Sequence, residues 1–344
     1  MKENPTRFLN VFMDQNNCCN LRCRMCGFSD DRAADIKRHD MPFWLFERIA
    51  EDVFPRANYL ALSCISEPFM TRDIPRRLDL LKRHPVPVTE IITNGTLLTR
   101  ERIASVIENE VSRIGISVDG ATSEVYEQIR VGAKFHRVIA NIELLREMKA
   151  AAGSSLPALR LLHVISELNV DQFEKFLSLA ESLGTKFVDV RTILPFKNAT
   201  DRGTKEEAFW EKVARCREQL EVWTRRTGVC DLGYLRHQRE PIDIFDERGL
   251  RRTCTVASEN ISILFNGDVV PCTAWSRPPL GNLAEQTLEE IWNGSAARSV
   301  RREFEERKPG LDCVYCTIVR EDPEVEGDAF FRIISRTPPE SPHS

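Results

Sequence analysis

Cys19, Cys23 and Cys26 stand at x3 and then x2 spacing in the run Cys18-Cys19-Asn20-Leu21-Arg22-Cys23-Arg24-Met25-Cys26. Three thiolates this close can hold three corners of a four-iron cubane and leave the fourth iron without a protein ligand. A cluster held by four cysteines suits electron transfer, whereas an open iron also binds a substrate or cofactor. The competing chemistry is a zinc knuckle or a chance group of buried thiols. Zinc sites usually pair cysteines as Cys-x2-Cys with partners some distance away, which the x3-then-x2 spacing fits poorly. A second set comes late in the chain: Cys254, Cys272 and the pair Cys313-x2-Cys316. Four thiols make a closed site, which is either another iron–sulfur cluster or a four-cysteine zinc site.

The first motif resembles the signature of the radical S-adenosylmethionine (radical SAM) superfamily. In that family the amino and carboxylate groups of SAM chelate the open iron of a [4Fe–4S] cluster. An electron then cleaves the sulfonium, and the 5′-deoxyadenosyl radical abstracts a hydrogen atom. Ser63-Cys64-Ile65-Ser66-Glu67-Pro68 resembles the family's Gly-Gly-Glu-Pro element, with Cys64-Ile65-Ser66 where small residues and glycines are common. The resemblance implies that Glu67, with the backbone at Ser66, holds the amino group, since a carboxylate accepts the hydrogen bonds of an amine.

Thr93-Asn94-Gly95-Thr96 and Ile116-Ser117-Val118-Asp119-Gly120 resemble strand-end motifs of the branch with extra clusters. They imply Asn94 and Ser117 as contacts to the ribose or the methionine portion. Tyr126-Glu127-Gln128-Ile129-Arg130 is similar to the element whose arginine pairs with the methionine carboxylate, a contact that suits a planar guanidinium. Met25 stands where the family often has an aromatic against adenine, and Leu194 is implied as a backbone contact to it. Seen without the cysteines, Glu67 reads as an ordinary strand-end turn acid, and Arg130, on a helix, could equally be a surface charge. Leu280-Gly281-Asn282-Leu283 and the segment from Leu288 to Asn293 resemble the stretch between cluster ligands in SPASM and twitch domains. No cysteine follows Cys316, so the resemblance is to the shorter twitch form, with Cys254, Cys272, Cys313 and Cys316 holding one auxiliary [4Fe–4S] cluster.

Short apolar runs alternate with amphipathic stretches through the first two-thirds of the chain. Strands are expected at Phe8–Met13, Tyr59–Ser63, Thr89–Thr93, Ile114–Val118, Leu159–Ile165 and Phe187–Thr192. Helices are expected near Phe43–Val53, Asp73–Lys82, Arg100–Ile107, Phe135–Lys149, Val170–Leu183 and Glu206–Trp223. Six alternations imply parallel βαβ units. Six are too few for a closed eight-stranded barrel, so the expected fold is α/β: a partial (β/α)6 TIM-like barrel with chemistry at the carboxyl ends of its strands. A small C-terminal twitch domain with a β-hairpin and helix should follow. The expected division is a core at 1–226, a bridge at 227–253, the twitch domain at 254–320 and a disordered tail at 321–344. In the hairpin, Asn266-Gly267 suits a type I′ turn.

The formal net charge is −4, which implies no broad basic face and argues against nucleic acid as a partner. No signal peptide or long apolar stretch is visible, so the expectation is a cytoplasmic chain with no membrane partner. Eleven cysteines in such a chain point to metal ligation over disulfides.

The expected activity is hydrogen abstraction from a small polar substrate, sugar- or aminocyclitol-like, ending in a two-electron oxidation. The auxiliary cluster would take the second electron, and a flavodoxin or ferredoxin would supply the first. Arg191, at the end of the sixth strand, is a candidate to orient a substrate hydroxyl, or else forms a salt bridge with Asp189. The alternatives are a maturase of ribosomal peptides and a radical epimerase. Only seven residues precede the first strand, which counts against a leader-binding module of the maturase kind. An epimerase needs a hydrogen donor such as Cys230. From another class comes a non-catalytic iron–sulfur or zinc protein that binds a partner.

Overall fold

The computed structural model describes residues 6–193, 206–231, 259–272, 275, 277–306 and 335–340. Leu194, Cys254, Cys313 and Cys316, and nearly all of the expected bridge, lie outside these residues. The chain forms two compact units: Met1–Cys19 with Ile36–Ile92 and Asp243–Ser344, and Asn20–Asp35 with Thr93–Ile242.

In the first unit β1 (Leu9–Met13), β2 (Ala57–Ala61) and β3 (Val88–Thr93) run parallel in that order. Leu9, Val11 and Met13 are buried and alternate with half-buried Asn10 and Phe12, the period of a pleated strand. The α1 helix (Phe43–Asp52) buries Leu45, Phe46, Ile49 and Ala50 along one stripe. The single helix expected over Asp73–Lys82 is instead a pair, α2 (Ile74–Leu78) and α3 (Leu80–Arg83).

The described part of the C-terminal region is built into this same unit. Strand β8 (Asn260–Ile263) lies parallel to β1, with Asn10 opposite Asn260. It turns back into β9 (Asp268–Val270), which pairs antiparallel with β10 (Gly281–Asn282). The hairpin is as expected but its turn is not type I′. Glu110 is the one non-glycine with positive φ among the described residues, so Asn266 keeps a negative φ while Gly267 sits at +90°. Leu264 and Asp268 close the loop at 2.9 Å, and the Gly267 N–H returns to the Leu264 carbonyl at 2.8 Å. The Asn266 side chain is committed to Asp268, its Nδ2 donating at 2.8 Å. This is the longer, three-residue type of hairpin loop. A short helix (Leu288–Trp292) opens on a Thr287/Glu290 capping box, and its Trp292 ring packs 5.3 Å from Phe8.

The second unit carries β4 (Arg113–Ser117), β5 (Ala158–Ile165), β6 (Phe187–Thr192) and the short β7 (Cys230–Asp231), again parallel. With them come α4 (Arg100–Glu108), α5 (Ser123–Ile129), α6 (Phe135–Ala151), α7 (Phe173–Ser182) and α8 (Glu207–Thr227). His163 of β5 stacks on Phe176 of α7 at 4.0 Å, so the odd residues of β5 face the helices. Arg160 takes the opposite face, and its ion pair with Asp189 of β6 puts Asp189 and Arg191 there too. The strand–helix alternation, parallel throughout β1–β6 within each unit, is the α/β arrangement expected of a partial (β/α)6 barrel. Among the described residues no helix is long and apolar enough to cross a membrane.

Candidate active site

The cysteine loop Asn20–Asp35 belongs to the second unit. The Arg22 and Arg24 N–H groups donate to the carbonyls of Val131 and Ile129, each at 3.0 Å, so the loop is pinned to the end of α5. Its Cys23 is buried, and burial pushes the thiol up to about 11 although the nearby Arg130 opposes this. Burial raises Cys26 as well, against the N–H groups of Phe28 and Gly27 that point at its sulfur. Met25 lies half-buried in the turn between them.

Arg130 donates through Nε to Oδ2 of Asp119 at 2.5 Å and brings Nη1 3.6 Å from Sγ of Cys23. Asp119 is fully buried and held from elsewhere: Oδ1 accepts the Val164 N–H, and its main-chain oxygen accepts Nδ2 of Asn169, both at 2.8 Å. Burial acts to lower the Arg130 pKa, but the Asp119 charge outweighs it and holds the guanidinium charged. Asn94 is the hub of a closed set in which its Nδ2 donates to Asn20 at 2.9 Å. Its Oδ1 accepts both the N–H and the hydroxyl of Thr96, at 2.9 and 2.6 Å. Asn20 completes the ring by donating to Thr96 at 2.9 Å. Ser117 ends β4 and is buried.

In the first unit the Ser63–Pro68 segment wraps around Asp14. That carboxylate accepts the N–H groups of Cys64, Ile65 and Ser66, each at 3.0 Å, and the Ser66 hydroxyl at 2.7 Å. Burial raises its pKa despite these donors. Glu67 caps the single turn Pro68–Met70, its Oε1 accepting the Phe69 N–H at 3.1 Å. The Glu67 N–H in turn donates to the carbonyl of Cys18 at 3.0 Å, next to half-exposed Cys19. Cys64 bonds to Ser262 of β8 and feels the charge of Cys272, which follows β9.

Arg191 forms the ion pair named as its alternative, with Nε and Nη2 each 2.7 Å from Asp189, which Arg160 also contacts. Cys230 is exposed and in register with Phe187, at the amino end of β6. The family's chemistry belongs at the opposite, carboxyl ends, so the position argues against Cys230 as a hydrogen donor. Sequence reasoning assigned no role to Asp14, Asn20, Asp119 or Tyr126. Asp119 stood inside a quoted motif, but its partner lies eleven residues on.

Among the described residues no three His, Cys, Asp or Glu side chains already surround one centre. The fit to an iron–sulfur cluster is in the donor chemistry. Buried Cys23 and half-buried Cys26 have a guanidinium and N–H groups, respectively, turned toward sulfur, donors that offset the charge of a thiolate-ligated cluster.

The Radical SAM superfamily model matches residues 16–180, and the SPASM model, an iron-sulfur cluster-binding domain, matches residues 254–317. The chain belongs to the radical SAM superfamily. The two matched domains imply [4Fe–4S] clusters and S-adenosylmethionine as cofactors.

It is 26% identical over 230 residues to the AdoMet-dependent heme synthase of Methanosarcina barkeri, spanning 63% of this chain and 64% of that protein. Mycofactocin maturase MftC of Mycobacterium tuberculosis is 27% identical over 214 residues, spanning 61% of this chain and 50% of the maturase. The chain thus spans less than two-thirds of the length of either. The Pyrococcus furiosus protein that modifies the cofactor of tungsten-containing aldehyde ferredoxin oxidoreductase is 23% identical, spanning 82% and 80%.

Streptococcus suis SuiB, solved with S-adenosylmethionine, superposes with a TM-score of 0.69 at 16% identity, covering 91% of this chain and 72% of that one. The native anSMEcpe structure with bound AdoMet gives 0.65 at 18%, covering 94% of each. These likenesses show the fold.

Proposed function

We propose that the chain cleaves SAM at a cluster held by Cys19, Cys23 and Cys26 and oxidises a carbon centre of an organic substrate by two electrons. When bound, the cluster and SAM together supply an electron and an abstractor of one hydrogen atom. Arg130 binds the methionine carboxylate, and Asp119 holds that arginine in place. Glu67 and the Ser66 backbone receive the amino group, with Asn94 and Ser117 beside the ribose or methionine portion and Met25 and Leu194 beside adenine. The substrate loses a hydrogen atom, a proton and an electron; the C-terminal set Cys254, Cys272, Cys313 and Cys316 is the place for that electron to go. A flavodoxin or ferredoxin is the fitting donor for the first electron.

The observation that carries this reading is the 3.6 Å approach of Arg130 to Cys23, since a buried guanidinium beside a thiol is what a cluster-bound carboxylate needs. For the substrate, the names of the curated relatives favour a tetrapyrrole or a peptide over a small sugar.

The test is anaerobic reconstitution followed by incubation with SAM, reductant and candidate tetrapyrroles, peptides and sugars. Replacing Cys19, Cys23 and Cys26 by Ala should remove about half the iron and all 5′-deoxyadenosine. A product two mass units lighter supports oxidation. Unchanged mass with deuterium gained from solvent would instead show an epimerase.

A further inference from the structure

Arg130 approaches Cys23 with little water around either group: its side chain is 13% exposed, the cysteine is 6% exposed, and Nη1 stands 3.6 Å from Sγ. The approach is built from both sides. On the loop side, the Arg22 and Arg24 N–H groups bracket Cys23 and bind the carbonyls of Val131 and Ile129, each at 3.0 Å. Gly132 comes next at φ +96°, where a Cβ would lie 3.4 Å from Leu21 of the loop and 3.7 Å from the Asn20 carbonyl, so the two segments meet closely. On the other side, Asp119 accepts the Nε proton at 2.5 Å.

An ion pair that served only to join the end of β4 to the end of α5 would be strongest as a fork, two nitrogens on one carboxylate. Arg191 does this on Asp189, through Nε and Nη2. Arg130 does not: it gives Asp119 its Nε and turns Nη1 to sulfur. A guanidinium has five N–H donors, so this arrangement leaves others for a SAM carboxylate. The Asp119–Arg130 pair is neutral as a whole, with its positive end at Cys23.

We infer that Arg130 donates an N–H···S hydrogen bond to the Cys23 sulfur of the bound cluster and thereby holds its reduction potential up, with Asp119 aiming the guanidinium. The inference rests on the reading of Cys23 as a cluster ligand and adds to the role given there to Arg130. Reduction adds negative charge to the cluster, so a donor at sulfur stabilises the reduced state, and more so where water is scarce. In this capacity Arg130 acts through a ligand and not on SAM or substrate, so it works before either has bound.

The experiment starts from a parent carrying Cys313→Ala and Cys316→Ala, so that the amino-terminal cluster is read alone. It also carries Arg22→Lys and Arg24→Lys, so that the guanidinium groups of the loop itself do not contribute. Arg130→Gln together with Asp119→Asn is added to this parent, which keeps the pair neutral. Without SAM, redox titration followed by electron paramagnetic resonance should show equal iron and a midpoint shifted to more negative values. Protein grown with heavy nitrogen in its arginine side chains should show coupling of that nitrogen to the reduced cluster in the parent, lost in the double variant. Unchanged midpoint with an intact cluster signal overturns the inference and leaves the ligand assignment standing. A shifted midpoint from a parent that shows no nitrogen coupling marks charge acting through space and overturns the hydrogen bond. Should the double variant fail to hold iron, the labelled parent decides: coupling supports the inference and its absence overturns it. A parent without a cluster signal overturns the ligand assignment itself.

Discussion

Arg130 stands between Asp119 and Cys23, with Nε 2.5 Å from the carboxylate and Nη1 3.6 Å from the sulfur. One guanidinium therefore joins the end of β4, the end of α5 and the cysteine loop. Because Asp119 is itself held by Val164 and Asn169, the position of the arginine is set from β5 and the turn that follows it. A short arginine–carboxylate contact of this kind is both charge-assisted and directional.

Arg130→Lys should retain iron but lose SAM affinity, because an ammonium cannot span the carboxylate and the sulfur side at once. The loss should be about 1.5–3 kcal/mol, roughly ten- to a hundredfold, read by calorimetry on the reconstituted protein. Equal affinity in wild type and variant would place the carboxylate contact elsewhere. Asp119→Ala differs, for it leaves a buried cation without its partner and should lower stability by about 3–5 kcal/mol. Thermal unfolding of the iron-free protein separates the two.

Asp14→Asn tests what organises the Ser63–Pro68 segment. The amide puts a donor where backbone N–H groups converge, so the loop and with it SAM binding should weaken. The pH dependence has a definite sign. Burial raises the folded carboxyl above its ordinary value of 3.8, so the folded state binds more protons than the unfolded one. Stability contributed by Asp14 is therefore complete below 3.8 and is lost as pH rises through the folded value. The melting temperature of wild type relative to D14N should fall over that window and level off above it. A relative melting temperature that instead climbs with pH would mean the carboxylate is net stabilised by its donors.

Gly95→Ala should destabilise the second unit. Gly95 has φ +75°, and a Cβ there would lie 2.9 Å from Ile116 and 3.1 Å from Val138. The combined backbone and packing penalty is about 1–3 kcal/mol, measurable as a lower urea midpoint. Because Asn94 and Thr96 flank it in the ring with Asn20, iron retention after desalting should fall as well.

Six strand cores and five of the six expected helices were readable because burial imposes a period of two or of 3.6 on residue type. Helix α5 was not among the six expected stretches, being seven residues long with only Tyr126 and Ile129 buried. Its Thr122 cap, which accepts the Val125 N–H, was the available signal. The turn at Asn266 went otherwise because side-chain bonds to Asp268 outweighed the dipeptide's local preference. For the cysteines, spacing alone pointed to clusters. Asp14 was not legible, since an acid ending a strand looks the same whether it faces water or gathers three N–H groups from fifty residues away. Arg191 shows the converse, a strand-end charge whose visible partner, Asp189, was two residues off in sequence.

The pairing of β1 with β8 also sets a timetable. Asn10 and Asn260 face each other across the two strands, their side chains 2.9 Å apart, with 250 residues between them. At about 5–20 residues per second, a ribosome needs roughly 12–50 s to make that stretch. During this interval the first strand has β2 on one side and an unsatisfied edge on the other, the kind of edge that recruits other chains. The cysteine loop begins only a few residues after that strand. Iron delivery during synthesis would therefore meet a chain in which β1 still lacks a strand on one side, so faithful assembly favours loading after release, or a chaperone that covers β1 until β8 arrives.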